Sequence, residues 1–120
     1  MIQKRTVAIV GMGNVGTAAA MALFGRHAAS ELLLVDKDFA RAQGEAMDLM
    51  HAQALVGRIT VRAAHWEELS AAQVVVVTAG ANQKPGETRM DLLARNEAIL
   101  RAIAAELDRH APEAVVLVAT

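Results

Sequence analysis

Short runs of aliphatic and β-branched residues recur along the chain and predict five β-strands. Several of these runs are apolar at every position, a pattern that is typical of strands buried on both faces of a parallel sheet. The predicted strands cover residues 6–10, 31–35, 59–62, 73–77 and 114–118.

Segments with apolar residues three or four positions apart lie between the predicted strands and indicate amphipathic helices. One covers about residues 39–50 behind the candidate N-cap Asp38, and a longer one covers about 88–109 and ends before Pro112. A short helix is expected between the third and fourth strands. The longer helix has an apolar face made of Leu92, Leu93, Asn96, Ile99, Leu100, Ile103 and Leu107.

The alternation of strands and helices predicts an α/β fold, with a right-handed, doubly wound parallel sheet of strand order 3-2-1-4-5. Residues 1–120 are expected to form one domain, and the 54% apolar content excludes a disordered chain. A net charge of -1, without interleaved aromatic and basic residues, argues against nucleic acid as a partner. Because the chain has no cysteine, disulfides and thiolate metal sites are excluded. We predict no metal site and a cytoplasmic location.

An uncharged run, residues 6–25, follows the basic segment "MIQKR" and has the length of a signal peptide or a membrane span. It contains four glycines and an asparagine, and its most apolar part, "TVAIV", is only five residues long. We therefore expect a strand, a turn and a helix here, and no membrane partner.

Three glycines separate the first predicted strand from this helix in the sequence "VAIVGMGNVG". Gly11, Gly13 and Gly16 have the G-x-G-x-x-G spacing of dinucleotide-binding turns. The first allows the tight turn, the second lets the backbone approach a pyrophosphate, and the third lets helix and strand pack closely. The helix N-terminus then offers free N–H groups to the anion. By itself, the spacing is also compatible with an ordinary tight turn.

An acidic residue, Asp36, ends the second predicted strand in "LLLVDKD", 20 residues after Gly16. A carboxylate at this place can accept hydrogen bonds from both hydroxyls of an adenosine ribose and would repel a 2′-phosphate. NAD is therefore preferred over NADP, although Lys37 is adjacent. The alternative is that Asp36 only caps the next helix, but Asp38 is better placed to do so.

A segment rich in glycine and charge, "TAGANQKPGETR", follows the fourth strand at residues 78–89. In open α/β sheets, ligands bind beyond the carboxyl ends of the strands where the strand order reverses, here between strands one and four. Thr88 and Asp91 resemble a capping box, which places Arg89 in the first helical turn, where the helix dipole disfavours a cation. This position suggests an anionic or electron-rich target for Arg89, and a solvated surface arginine is the alternative.

Five segments together resemble the N-terminal half of the bacterial L-lactate dehydrogenases: "GMGNVG", "LVDKD", "GEAMDLMH", "VVVVTAGANQKPGETRMDLLARN" and "EAVVLVAT". The resemblance covers essentially the whole chain. It implies a glycolytic oxidoreductase that interconverts L-lactate and pyruvate with NAD and is a homotetramer when complete. It also implies that Arg89 polarises the keto oxygen of pyruvate. Gln83 matches the substrate-selecting position, where malate dehydrogenases carry an arginine that pairs with a second carboxylate.

The resemblance also implies a set of cofactor contacts. These are Gly11, Met12, Gly13, Asn14, Val15, Gly16, Asp36, Lys37, Arg41, Trp66, Thr78, Ala79, Gly80, Ala81, Ala119 and Thr120. The alternative for Trp66 is that it only packs against its neighbours, and Asn96 is expected to be a hydrogen-bonded buried amide. Met47 and Met50 lie on a helix that packs against a sister subunit in this family, although their spacing alone indicates core residues.

The proton donor that reduction of a ketone requires is not recognisable in the chain. His27, His51, His65 and His110 form no catalytic pattern. The resemblance implies that the catalytic histidine, its aspartate partner, a substrate-binding arginine and an asparagine after the fifth strand lie beyond Thr120. We therefore expect a truncated or partly represented enzyme, or a cofactor half, without its C-terminal substrate domain and catalytically incomplete by itself. The alternatives are a malate dehydrogenase and an NAD-binding module with no catalytic role.

Overall fold

The computed structural model of the chain describes residues 4–120. Five strands form one sheet in the order β3-β2-β1-β4-β5, and every pair of neighbours is parallel. The predicted fold class and strand order are therefore confirmed. The strands are β1 (Thr6–Val10), β2 (Glu31–Val35), β3 (Thr60–Ala63), β4 (Val74–Val77) and β5 (Val115–Val118).

The helices follow the predicted order, with one addition. They are α1 (Asn14–Gly25), α2 (Phe39–His51), α3 (Gln53–Val56), a short 3₁₀ helix (Trp66–Ala71) and α4 (Arg89–His110). The sequence predicted a single helix between the second and third strands, whereas the short α3 continues the chain after α2. Gly57 ends α3 with φ of 105°, a conformation that favours glycine. No helix within residues 4–120 is long and apolar enough to cross a membrane.

Two apolar layers cover the sheet, one on each face. Leu32 and Leu34 of β2 pack on the same side as Phe24 of α1, whereas Leu33 packs on the opposite side with Leu107 of α4. Successive side chains of a strand point to opposite faces, so a strand covered on both sides must be apolar at every position. This explains the continuous apolar run that identified β2.

The strand at the outer edge of the sheet is not covered on both faces in this way. β5 pairs only with β4, and its four residues are 40% to 64% exposed. Leu93 on α4 is also 60% exposed, although the apolar spacing placed it on the buried face, while Ile103 and Leu107 of the same helix are buried. Met47 is 59% exposed, so the prediction from its spacing that it is a core residue was wrong. Within residues 4–120, nothing covers the outer side of β5.

Candidate functional site

The carboxyl ends of β1, β2 and β4 meet at one edge of the sheet, and the glycine turn leaves β1 at this point. The Gly11 amide donates to the Val35 carbonyl (2.7 Å), and the Thr78 amide donates to the Val10 carbonyl (2.9 Å). The Thr78 hydroxyl also donates to the Gly11 carbonyl at 2.8 Å. The turn is thus fixed to both neighbouring strands.

The three glycines of the turn have different surroundings. Gly11 has φ of 102°, and a Cβ there would lie 2.7 Å from the Ala79 Cα. A Cβ on Gly16 would overlap the Gly11 carbonyl oxygen and press against the Thr78 hydroxyl. A Cβ on Gly13, in contrast, would meet no atom within 4 Å. Packing within the protein therefore requires glycine at positions 11 and 16. Gly13 instead borders open space that a ligand could approach.

The N-terminus of α1 borders this space. Gly13 is its N-cap residue, no side chain caps the helix, and its first turn contains no acidic residue. The first amides of a helix have no acceptor within it, and its dipole favours an anion there. Asn14 and Val15 are exposed, whereas the Met12 side chain is fully buried in the core, so that only the main chain of Met12 faces the turn. These features fit the pyrophosphate of a dinucleotide.

Asp36 lies beside the turn, at the end of β2. Its Oδ2 accepts from the Met12 amide (2.7 Å) and its Oδ1 accepts from the Asp38 amide (2.9 Å). Asp38 itself caps α2 by accepting from the Arg41 amide at 3.3 Å, as predicted. The two carboxylates thus have separate tasks. Asp36 is half-buried, oriented by two amides and able to accept further hydrogen bonds from a ribose, while Lys37 and Arg41 are exposed.

The segment after β4 approaches the end of β5. A Cβ on Gly80 would lie 2.7 Å from the Thr120 hydroxyl, and the Ala119 amide donates to the Val77 carbonyl at 2.8 Å. The Ala81 amide donates to the side-chain oxygen of Asn96 at 2.8 Å. The predicted hydrogen bond of Asn96 is confirmed, but its side chain is half-buried rather than buried, and the bond joins α4 to the start of the loop.

The next residues form a loop, residues 82–87, which we call the specificity loop and which is exposed except at the half-buried Glu87. Gln83 lies in it and donates its side-chain amide to the Glu87 carbonyl at 2.8 Å. Thr88 and Asp91 form the predicted capping box: the Asp91 amide donates to the Thr88 hydroxyl and the Thr88 amide donates to the Asp91 carboxylate, both at 3.1 Å. This confirms that Arg89 stands in the first turn of α4, where it is exposed.

An ion pair that the sequence did not suggest connects this loop to α4. Arg95 donates from Nε to Glu87 Oε2 (2.8 Å) and from Nη2 to Glu87 Oε1 (2.7 Å) and to the Asn82 carbonyl (2.9 Å). The Arg95 hydrogen bond lowers the pKa of the Glu87 carboxyl from its ordinary value, and the same bond raises the pKa of Arg95. Glu87 and Arg95 are eight positions apart, a spacing that predicts no contact along a helix.

The other candidate residues follow the end of β3, two strands away from the glycine turn, or lie in the last turn of α4. Trp66 is half-buried and packs on the apolar layer under α4, in line with its alternative role. His65 stacks on Phe39, with ring centroids 4.2 Å apart. His110 lies in the last turn of α4, with Nε2 3.4 Å from Glu106 Oε2.

Comparison with known proteins gives consistent results. Residues 5–120 match the family described as lactate/malate dehydrogenase, NAD binding domain. An L-lactate dehydrogenase of Salinibacter ruber is 60% identical over 100% of this chain and 38% of its own length. The minor L-lactate dehydrogenase of Enterococcus mundtii, solved in a ligands-bound form, superposes with a TM-score of 0.92 at 40% identity, over 96% of this chain and 37% of that one.

A malate dehydrogenase is similar as well. The enzyme of Archaeoglobus fulgidus, solved in complex with NADH, superposes with a TM-score of 0.87 at 38% identity, over 94% of this chain and 39% of that one. The chain thus spans less than two fifths of the length of the relatives it matches.

Proposed function

The chain belongs to the lactate/malate dehydrogenase family, as its NAD-binding domain, and we propose that it is the coenzyme-binding part of an NAD-dependent L-lactate dehydrogenase. The reaction is the interconversion of L-lactate and pyruvate. The observation that carries this proposal is the neutral side chain of Gln83 in the specificity loop. The 60% identity to an enzyme named L-lactate dehydrogenase supports it.

The cofactor supplies the hydride that reduces the keto carbon, and the residues of the glycine turn would hold it. The space at Gly13 and the first amides of α1, at Asn14 and Val15, would receive the pyrophosphate. Asp36 would accept from the ribose hydroxyls while the Met12 amide keeps its carboxylate oriented. Thr78, Ala79, Gly80, Ala81, Ala119 and Thr120 lie where β4 and β5 end and would line the nicotinamide half.

Arg89 would act on the substrate from the base of the specificity loop. Negative charge develops on the keto oxygen of pyruvate as the keto carbon is reduced, and a guanidinium placed next to that oxygen stabilises the charge. In the structure Arg89 is exposed. Movement of the loop over the substrate would exclude water and strengthen this interaction, because charges attract more strongly in a dry site.

Gln83 would decide between substrates of different charge. Oxaloacetate carries a second carboxylate, which the uncharged amide of Gln83 cannot neutralise, whereas the methyl group of pyruvate needs no partner. Exclusion of oxaloacetate therefore follows from a missing counter-charge. The proton donor and the cation for the substrate carboxylate would come from the rest of the enzyme.

The assembly and location are part of the same proposal. Met21 and Met47 are about 60% exposed on α1 and α2, and Leu55 on α3 is 89% exposed. In an assembled enzyme, these exposed side chains would be available for contact with another subunit. We place the complete enzyme in the cytoplasm, in glycolysis, as a homotetramer.

The test compares the reduction of pyruvate with the reduction of oxaloacetate. The complete enzyme for this test is the full-length protein, or residues 1–120 fused to the C-terminal part of the Salinibacter ruber relative. We expect kcat/KM for pyruvate to exceed that for oxaloacetate about a hundredfold, and Gln83→Arg to reverse the order. Gln43→Arg, which adds the same charge on the exposed side of α2, is the control and should leave the preference unchanged.

Malate dehydrogenase is the second candidate, because a malate dehydrogenase is 38% identical to the chain. A preference of the unaltered enzyme for oxaloacetate would establish it and refute the role of Gln83. An enzyme that binds NADH but reduces neither keto acid would instead indicate a cofactor-binding module.

A further inference from the structure

Arg95 joins the two ends of the specificity loop. Its guanidinium grips the Glu87 carboxylate with two parallel hydrogen bonds of 2.8 and 2.7 Å, and one of the same nitrogens donates to the Asn82 carbonyl at 2.9 Å. Paired hydrogen bonds between guanidinium and carboxylate fix both distance and orientation. Asn82 and Glu87, the first and last residues of the loop, are therefore attached to one side chain of α4.

The interior of the loop depends on Glu87 as well. The Lys84 amide donates to Glu87 Oε1 at 3.3 Å, and the Glu87 amide donates to the Lys84 carbonyl at 3.0 Å. The Glu87 carbonyl accepts from the side-chain amide of Gln83 at 2.8 Å. A continuous chain of contacts thus runs from Arg95 through Glu87 to the side chain that selects the substrate.

This ion pair is also better shielded than an ordinary surface pair. The Glu87 side chain is only 11% exposed and that of Arg95 is 34% exposed. Arg101 and Glu97, one turn apart on the same helix, form a pair in which the side chains are 78% and 58% exposed. Exposed pairs of this second kind contribute little to structure, because water screens them and both side chains lose freedom. The two pairs therefore form a natural contrast on one helix.

We propose that Arg95 is a positioning residue, which holds residues 82–87 as one preformed unit and orients Gln83 through Glu87. This rests on the proposed function, since it assigns substrate selection to Gln83. Arg89 does not depend on this contact, because the capping box of Thr88 and Asp91 already places it in α4. Loss of Arg95 should thus weaken substrate binding and selection more than it slows the chemical step, because the loop must then be ordered when the substrate binds.

The first test is independent of catalysis. Hydrogen exchange of the loop amides is measured in the ligand-free complete enzyme for the wild type, Arg95→Met and the matched control Arg101→Met. We expect about tenfold faster exchange of the amides between Asn82 and Thr88 in Arg95→Met alone, because local opening sets their protection. Glu87→Gln should have a similar effect, and the double variant Arg95→Met with Glu87→Gln should add little to either single change.

The second test separates KM from kcat. In Arg95→Met we expect KM for pyruvate to rise about tenfold, kcat to stay within about twofold and KM for NADH to stay unchanged. The ratio of kcat/KM for pyruvate over oxaloacetate should fall, and Arg95→Lys should restore part of it, since an ammonium keeps the charge but not the paired geometry.

Three results would overturn the proposal. The first is exchange in the loop that is the same in Arg95→Met and the wild type. The second is a fall in kcat with an unchanged KM, which would place Arg95 in the chemistry. The third is a lowered Tm without a change in the loop, which would make Arg95 merely structural. If the wild type reduces no pyruvate, the proposed function fails, and the exchange measurement alone decides whether Arg95 orders the loop.

Discussion

The glycine turn and the specificity loop lie at the same edge of the sheet but are held by different forces. In the turn, backbone atoms of Gly11 and Gly16 pack so closely on their neighbours that no Cβ fits. In the loop, the contacts are hydrogen bonds that the side chains of Gln83 and Arg95 donate and the Glu87 carboxylate accepts. The overlap that an added Cβ would cause cannot be relieved without moving the backbone, whereas polar contacts near the surface can break and reform, because water can take the place of either partner.

The difference matches the two tasks that we propose. A cofactor that is the same in every turnover benefits from a rigid turn, since the turn then needs no ordering on binding. A loop that closes over different substrates has to move, and its position must be adjustable by a few side chains. Substitutions should therefore act through folding in the first region and through ligand selection in the second.

The largest effect is expected within the turn itself. Gly16→Ala puts a methyl group into the Gly11 carbonyl oxygen and should destabilise the enzyme by about 3 kcal/mol. Gly13→Ala is its matched control, because a Cβ there meets no protein atom within 4 Å. Urea denaturation should show a loss of no more than about 1 kcal/mol for Gly13→Ala, because alanine is a poorer N-cap than glycine, while NADH titration should show weakened binding. Equal stability of Gly13→Ala and Gly16→Ala would refute the idea that packing requires Gly16 while Gly13 only leaves room for a ligand.

Removal of the guanidinium at the base of the loop should act on the reaction alone. Arg89→Gln in the complete enzyme is expected to lower kcat about 10²-fold, because the charge on the keto oxygen loses its partner. Thermal denaturation should be unchanged, since Arg89 is exposed and the capping box remains. An unchanged kcat would favour an NAD-binding module without a catalytic role.

A smaller effect is expected at the ribose site. Asp36→Asn keeps the shape of the side chain but replaces one carboxylate oxygen by an NH2 group. The ribose then loses a charged acceptor and either the Met12 or the Asp38 amide loses its partner, so the Kd for NADH should rise about tenfold. Discrimination against NADPH should decrease at the same time, because the repulsion of a 2′-phosphate is removed. Fluorescence titration with both cofactors measures this, with Asp48→Asn on the exposed side of α2 as the control. Unchanged discrimination would mean that Asp36 does not face the 2′ position.

The smallest effect is expected on the specificity loop at acidic pH. The Arg95 hydrogen bond lowers the pKa of Glu87 below its ordinary value of 4.5, with Lys84 contributing in the same direction. The ion pair is therefore complete above pH 4.5 and is lost as the pH falls through the lowered pKa. Loop amides, corrected for intrinsic exchange, should keep their protection from pH 8 to below 4.5 and lose it in stronger acid. Loss of protection already near pH 6 would show that Glu87 is not the group that holds the loop.

Local patterns were sufficient for much of the fold and part of the site. The capping box of Thr88 and Asp91 and the N-cap of Asp38 depend on residues three positions apart, and both were predicted correctly. The boundaries of β3, β4 and β5 differ by one residue from the prediction, because the ends of strands depend on their neighbours. The pair of Arg95 and Glu87 has no such local signal, since it forms only when the loop folds back on α4.

Periodicity and short-range steric and hydrogen-bonding rules were enough to predict the strand order, the parallel sheet, the glycine turn and the position of Arg89 at the start of a helix. The three-dimensional fold was needed to show that the Met12 side chain lies in the core, that Leu93 is exposed and that Arg95 binds both ends of the specificity loop. Burial and ion pairing depend on which surfaces meet in space, and residues far apart in the chain control that.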